Sequence, residues 1–242
     1  MRRWLRNTYV ISVMEFKRLV REWAAFFITS LISAATFFLF RLAVNPPLDV
    51  ELRLLAGAIV FGVGMQSINS TGQIMVSERF EGQMKLFRTS PVSQGSYVVG
   101  VTIFAAAAAI LSAFVVLGLA ALAGVDFHLS PLLPLLLITT SLALPGFAVL
   151  IATHARTAQG GYMLCNTVGI IVVFISPIFY PIERLPEWLQ WVARISPFTH
   201  AGKAFTEVLS GGSDILVQLV ILVAFMIITN VLGITRMRWR EP

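Results

Sequence analysis

The chain has 242 residues, 57% of them hydrophobic and only 12% charged, with a net charge of +6. Mean hydropathy is +0.83, and soluble domains carry about 25% charged side chains, so a soluble globule and a disordered chain are both excluded. A lone cysteine, Cys165, excludes a disulfide scaffold.

Residues 1–22 are basic, and within them Leu5, Tyr9, Val13, Phe16 and Val20 recur at helical spacing. Arg6, Lys17, Arg18 and Arg21 lie mostly off that stripe. This predicts an amphipathic helix lying on the inner membrane surface, with a plain basic flank that anchors topology as the alternative. No removed signal peptide is expected, because the first apolar run is already long enough to span.

A spanning helix needs about 20 mostly apolar residues. Runs of that kind fall at 23–44, 54–76, 98–123, 132–153, 161–180 and 215–235, giving six predicted spans. Pro46-Pro47 close the first and Pro181 the fifth, since proline lacks the amide that a continuing helix uses. Six spans put both termini on one side. With that side inside, thirteen of the 18 Lys and Arg are inside, and only Arg41, Arg53, Arg184, Arg194 and Lys203 are outside. The positive-inside bias therefore predicts cytoplasmic termini.

Three stretches do not read as simple spans. On the second, Gln66, Asn69, Ser70, Gln73 and Ser77 repeat every three or four residues and share one helix face. Amides facing lipid are costly, so this face meets either another helix or a polar path. Asn166 in the fifth span poses the same choice. Residues 77–97 form a polar cytoplasmic connection in which Phe80, Leu86 and Phe87 look like a plug for a groove on a soluble partner. An ordinary loop lying against headgroups is the alternative. Residues 177–213 are broken by Pro181, Pro186 and Pro197, and carry Trp188 and Trp191 in a short amphipathic segment. His200, Lys203 and Glu207 follow at one-turn spacing, which predicts short outer helices buried in protein. A structural role is favoured for that polar trio.

Chemistry is thin. His128, His154 and His200 fall in different connections, no HExxH occurs, and all twelve acids lie outside the six spans. An intramembrane enzyme and a self-sufficient ion-coupled carrier are both disfavoured. No phosphate-binding loop is present, so nucleotide energy would come from another chain.

The chain resembles the type-2 ABC exporter permeases, including daunorubicin-resistance-like and polysaccharide-exporting membrane subunits. The resemblance rests on the basic amphipathic first helix and on Glu78-Arg79-Phe80-Glu81-Gly82, followed by Leu86 and Ser90-Pro91. It rests also on Ser176-Pro177-Ile178-Phe179-Tyr180-Pro181, on Leu185-Pro186-Glu187-Trp188-Leu189, and on Ser196-Pro197-Phe198-Thr199-His200-Ala201.

It implies an all-α integral membrane fold in a prokaryotic plasma (inner) membrane. Residues 1–22 would be an amphipathic helix, and 23–242 a six-span domain with re-entrant outer helices. A second copy or paralogue would pair with it, and two copies of an ATP-binding subunit would dock beneath. ATP and Mg would sit on those subunits, with no cofactor on this chain and no nucleic-acid partner. Glu78, Glu81 and Arg88 would be polar contacts to them, with Phe80 and Phe87 packing. Gln66, Asn69, Ser70, Gln73 and Asn166 are the candidate path. The expected cargo is hydrophobic or amphiphilic, with a polysaccharide or lipid-linked glycan as the alternative. An intramembrane enzyme or a non-transporting scaffold is the reading from another class.

Overall fold

The computed structural model describes residues 2–21, 23–83, 86, 89 and 92–236. Among them all regular structure is helical. Five helical runs are long and apolar enough to cross a membrane: Phe26–Val44, Gln94–Leu122, Leu132–Thr153, Ala158–Ile175 and Leu216–Arg236.

Helix α1 (Arg2–Arg21) is followed by α2 (Trp23–Val44). Asn45 ends α2 at a φ of 41°, a left-handed conformation that asparagine tolerates. Pro46 and Pro47 then turn the chain into α3 (Leu48–Phe80), whose first turn carries Asp49 and Glu51 at the positive end of the helix dipole. Glu51 pairs with Arg41 at 2.6 Å, and Arg41 donates to the Ala123 carbonyl at 3.1 Å. That pairing ties the far ends of α2, α3 and the next helix together.

Helix α3 contains the second predicted span but is not one of the five apolar runs. It is 33 residues long, or about 50 Å at 1.5 Å per residue, and forms the packed centre of the bundle. Helices α2, α4 (Gln94–Leu122), α6 (Pro145–Thr153) and α7 (Ala158–Ile175) all pack on it. Ser93 and Ser96 start α4 with a reciprocal capping box.

The fourth predicted span is broken. Its outer limits stand, but Pro145 divides it into α5 (Leu132–Ala143) and α6, because proline cannot donate to the carbonyl four residues back. Helix α7 ends at Ile175, five residues before the predicted limit, where Ser176-Pro177 leave the helix. A single 3-10 turn (Ile182–Arg184), α8 (Glu187–Ile195) and α9 (Pro197–Leu209) precede the last helix, α10 (Leu216–Arg236). Helix α9 buries Phe198, Phe205 and Leu209 against α3 and α10.

One reversal concerns α1. Its apolar stripe does not pack on the bundle: Leu5, Tyr9, Phe16 and Val20 are exposed, whereas Thr8, Ile11 and Glu15 are buried. The sequence-visible stripe is thus left for lipid, and the quieter polar side meets α4. Gly100 permits the approach, since a Cβ there would lie 2.9 Å from Ile11.

Candidate functional site

Two constructions lie along α3. The first is its polar stripe. Gln66 accepts from Thr29 Oγ1 of α2 at 3.0 Å and donates to Ser70 Oγ at 3.0 Å, so part of the stripe is interhelical bonding. Asn69, Gln73 and Asn166 make no side-chain hydrogen bond to another described residue. They line, with Gln66, a cavity of about 490 Å³ between α2, α3 and α7. Its opposite wall is apolar, including Phe61, Met65 and Ile170. A smaller cavity of about 140 Å³ shares Gln66, Asn69 and Gln73, adds Ser70, and continues to Glu15 and Arg18 of α1. All five sequence-predicted path residues therefore meet along one connected polar surface. Ser77 does not join them; its hydroxyl is buried and donates back to the Ile74 carbonyl.

The second construction is the foot of α3. Here the Glu-Arg-Phe-Glu-Gly run divides into two halves. Glu78 is only 2% exposed and accepts a hydrogen bond from the fully buried Tyr97 hydroxyl of α4. Glu78 lies beyond Val76, where the apolar run of α3 stops. Burial, the largest influence, pushes its carboxyl from 4.5 up to about 7. The Tyr97 hydrogen bond and the Arg18 charge oppose that rise, while the facing Glu15 adds to it.

Arg79 turns the other way. One of its guanidinium nitrogens donates to the carbonyls of Ala152, Thr153 and Ala155, at 3.2, 3.0 and 3.1 Å. These are orphan groups at the C-terminal, negative end of α6, where a cation is favoured. Neither Glu78 nor Arg79, both expected to face a soluble partner, presents its charged group outward. Two adjacent residues fasten the foot of α3 to α1 and α4 on one side and to α6 on the other.

The outward half begins one residue later. Phe80 is 40% exposed beneath the Arg79 guanidinium, and Glu81 is exposed and accepts from Gln83. Gly82 sits at φ +77°, a left-handed turn that only glycine adopts without strain. Leu86 is 71% exposed. Phe87 and Arg88, expected in the same surface, lie outside the described residues, as do Met84, Lys85, Ser90 and Pro91.

At the other end of α3, Ser176 and Ser196 hydroxyls meet at 2.6 Å and join the ends of α7 and α8. Pro181 precedes the 3-10 turn, and Pro197 is the first residue of α9. His200 Nε2 bonds the Arg194 carbonyl at 2.8 Å, so this histidine staples α9 to α8. Lys203 instead lines an outer cavity of about 590 Å³ with Arg53, Glu183, Glu207 and Asp214. Trp188 and Trp191 are both exposed, and Arg194 lies 5.2 Å over the Trp191 ring.

Sequence reasoning missed Glu15 and Tyr97. Glu15 is the one acid among the basic residues of α1 away from its end, and that isolation was the available signal.

The model of the family described as "ABC-2 type transporter" matches residues 6–210. A putative transport permease, YvfS, of Bacillus subtilis (strain 168) is 27% identical over 240 residues, covering 92% of this chain and 93% of that protein. The linearmycin resistance permease protein LnrN of the same organism is 30% identical over 100 residues, covering 40% of this chain and 26% of that protein. The family match spans both the foot of α3 and the outer helices. The chain belongs to the ABC-2 type transporter family and is a multi-pass membrane permease of an ABC transporter.

Proposed function

We propose that this permease exports a hydrophobic or amphiphilic cargo, powered by a separate ATP-binding subunit that holds ATP and Mg. The observation that carries the cargo class is the 490 Å³ cavity, with three carboxamides on one wall and apolar side chains on the other. Such a lining suits a molecule with a polar head and an apolar body. No described tryptophan lines it, which favours an amphiphile over a glycan that would stack on aromatic faces. A partial relative whose name concerns linearmycin resistance agrees with a drug-type cargo.

In this reading α3 is the sixth crossing, the termini are cytoplasmic, and the membrane is a prokaryotic plasma membrane. Residues 1–22 form the interfacial helix, 23–242 the six-span domain, 77–97 the coupling segment and 177–213 the re-entrant outer region. Two permeases, identical or paralogous, stand over two ATP-binding subunits. Phe80, Glu81 and Leu86 supply the docking surface, with Phe87 and Arg88 completing it. Closure of the ATP-bound subunits displaces that surface, and Glu78 and Arg79 pass the displacement to α1, α4 and α6. Cargo moves because the two arrangements of the bundle bind it differently.

Two results are expected. Glu81→Arg lowers transport per ATP hydrolysed several-fold while leaving the permease folded, because the substitution touches only the exposed surface. Unchanged coupling in a reconstituted complex counts against the docking role. Asn69→Leu with Gln73→Leu removes two cavity amides and lowers export of a lipophilic cationic dye by roughly tenfold, about 1.4 kcal/mol. Efflux from inverted vesicles measures this, and undiminished efflux places the path elsewhere.

A further inference from the structure

The side of α1 that meets the bundle is its polar side, and Glu15 is the residue it drives deepest, at 5% exposure. Ser12 fixes that side by donating to the Gly100 carbonyl of α4 at 2.9 Å. The Glu15 carboxyl then faces that of Glu78 at the foot of α3 and hydrogen-bonds to it. Two ionised carboxylates offer only acceptors and repel each other, so a hydrogen bond between them requires one proton. Tyr97 of α4 donates to Glu78, and Arg18, one turn along α1, supplies a positive charge. One shared proton therefore leaves a single negative charge opposite a single cation. From α3, the neighbouring Arg79 is turned away to the end of α6.

We propose that Glu15 and Glu78 hold one proton between them, and that this proton fastens α1 to the foot of α3. Loss of the proton places two like charges side by side in a buried site, and α1 loosens there. Glu78 binds its proton more tightly folded than unfolded, so the stabilisation is present at low pH. It is lost as pH rises from 4.5 through about 7. The joint lies three residues before Glu81, at the head of the coupling segment. That consequence rests on the transport reading; the proton and the docking of α1 do not.

The test uses the purified permease alone in phosphatidylcholine nanodiscs, so its failure and that of the ATPase reading are separable. At about pH 6 the infrared spectrum should show a protonated carboxyl band that is absent from the E15Q/E78Q double variant. Hydrogen exchange of α1 amides is compared between wild type and E78Q at one pH, so that chemical exchange rates cancel. The amide introduced by E78Q mimics the protonated acid, donating to Glu15 and accepting from Tyr97. At about pH 8.5 wild-type α1 should exchange about tenfold faster than E78Q, and at about pH 6 the two should agree. E15Q should behave as E78Q does and serves in its place if E78Q folds poorly.

Tyr97→Phe provides the signature that a merely structural contact would not. The Tyr97 hydrogen bond favours the ionised carboxylate, so its removal should move the wild-type transition to higher pH. Absence of the acid band, or equal exchange in wild type and both Gln variants at both pH values, overturns the proposal. A Y97F transition at unchanged or lower pH overturns it too.

Discussion

Gly146→Ala should destabilise the permease by roughly 1–3 kcal/mol, the range for overpacking a close-packed interior, and lower its melting temperature by about 2–12 °C for a chain of this size. A Cβ at Gly146 would lie 2.5 Å from the Thr229 carbonyl carbon and 2.6 Å from the Asn230 nitrogen, both backbone atoms of α10 that no rotamer change can move. The close approach has a purpose. Pro145 cannot donate within its helix, and the break at Leu144 leaves nearby carbonyls unpaired in the apolar interior. Thr229 Oγ1 donates to the Ala143 carbonyl and Asn230 Nδ2 to that of Leu142, each at 3.0 Å. Polar side chains of a neighbouring helix thus satisfy the backbone that the proline freed. Adding one methyl group separates the helices and loses those bonds together. Gly118→Ala is the control, since nothing lies within 4 Å of a Cβ there. Thermal unfolding in detergent should separate the two variants, and equal melting temperatures would show that α10 does not depend on the contact.

Arg79→Ala should abolish most transport. Hydrogen bonds to a charged group are worth about 1.5–3 kcal/mol each. The three carbonyls share one nitrogen, so the loss is nearer roughly 2–4 kcal/mol than a sum of three. The local effect is fraying of the C-terminal turn of α6. The functional effect, in our reading, is that displacement of the coupling segment no longer reaches α6. Arg79→Lys keeps a cation at the helix end and should recover part of the activity. Hydrogen exchange across residues 151–157 should rise in Arg79→Ala and largely recover in Arg79→Lys. Wild-type exchange in the alanine variant would show that the grip is dispensable.

These cases show what the sequence could and could not convey. Apolar runs are local, so the ends of α2 at Pro46 and of α10 near Thr235 are readable from composition and proline. The stripe from Gln66 to Gln73 is readable because helical spacing alone puts it on one face. Whether it bonds to a neighbour or lines a cavity depends on Thr29 and Asn166, far away in the chain. Both readings hold, for different residues of the stripe. Pro145 lies within an unbroken apolar run, which conceals its break because the compensating groups are on α10.

Direction is the hardest property to read. Charges at the cytoplasmic end of a span ordinarily face water, so Glu78 and Arg79 read as surface contacts alongside Glu81. Their inward turn is set by Tyr97, Glu15 and the end of α6, none of which adjoins them in sequence. The stripe from Leu5 to Val20 reads correctly as amphipathic. Its outward orientation follows from Gly100, where the bundle admits the opposite side of α1.

The central claim is that this chain is energised by a separate ATP-binding subunit docked on Phe80, Glu81 and Leu86. The most direct test is a mild-detergent pull-down of the tagged permease, with mass spectrometry and an ATPase assay on the eluate. The account predicts a stoichiometric soluble subunit bearing a phosphate-binding loop and vanadate-sensitive hydrolysis, with both reduced in Glu81→Arg. Recovery of the permease with no such subunit and no hydrolysis would contradict it.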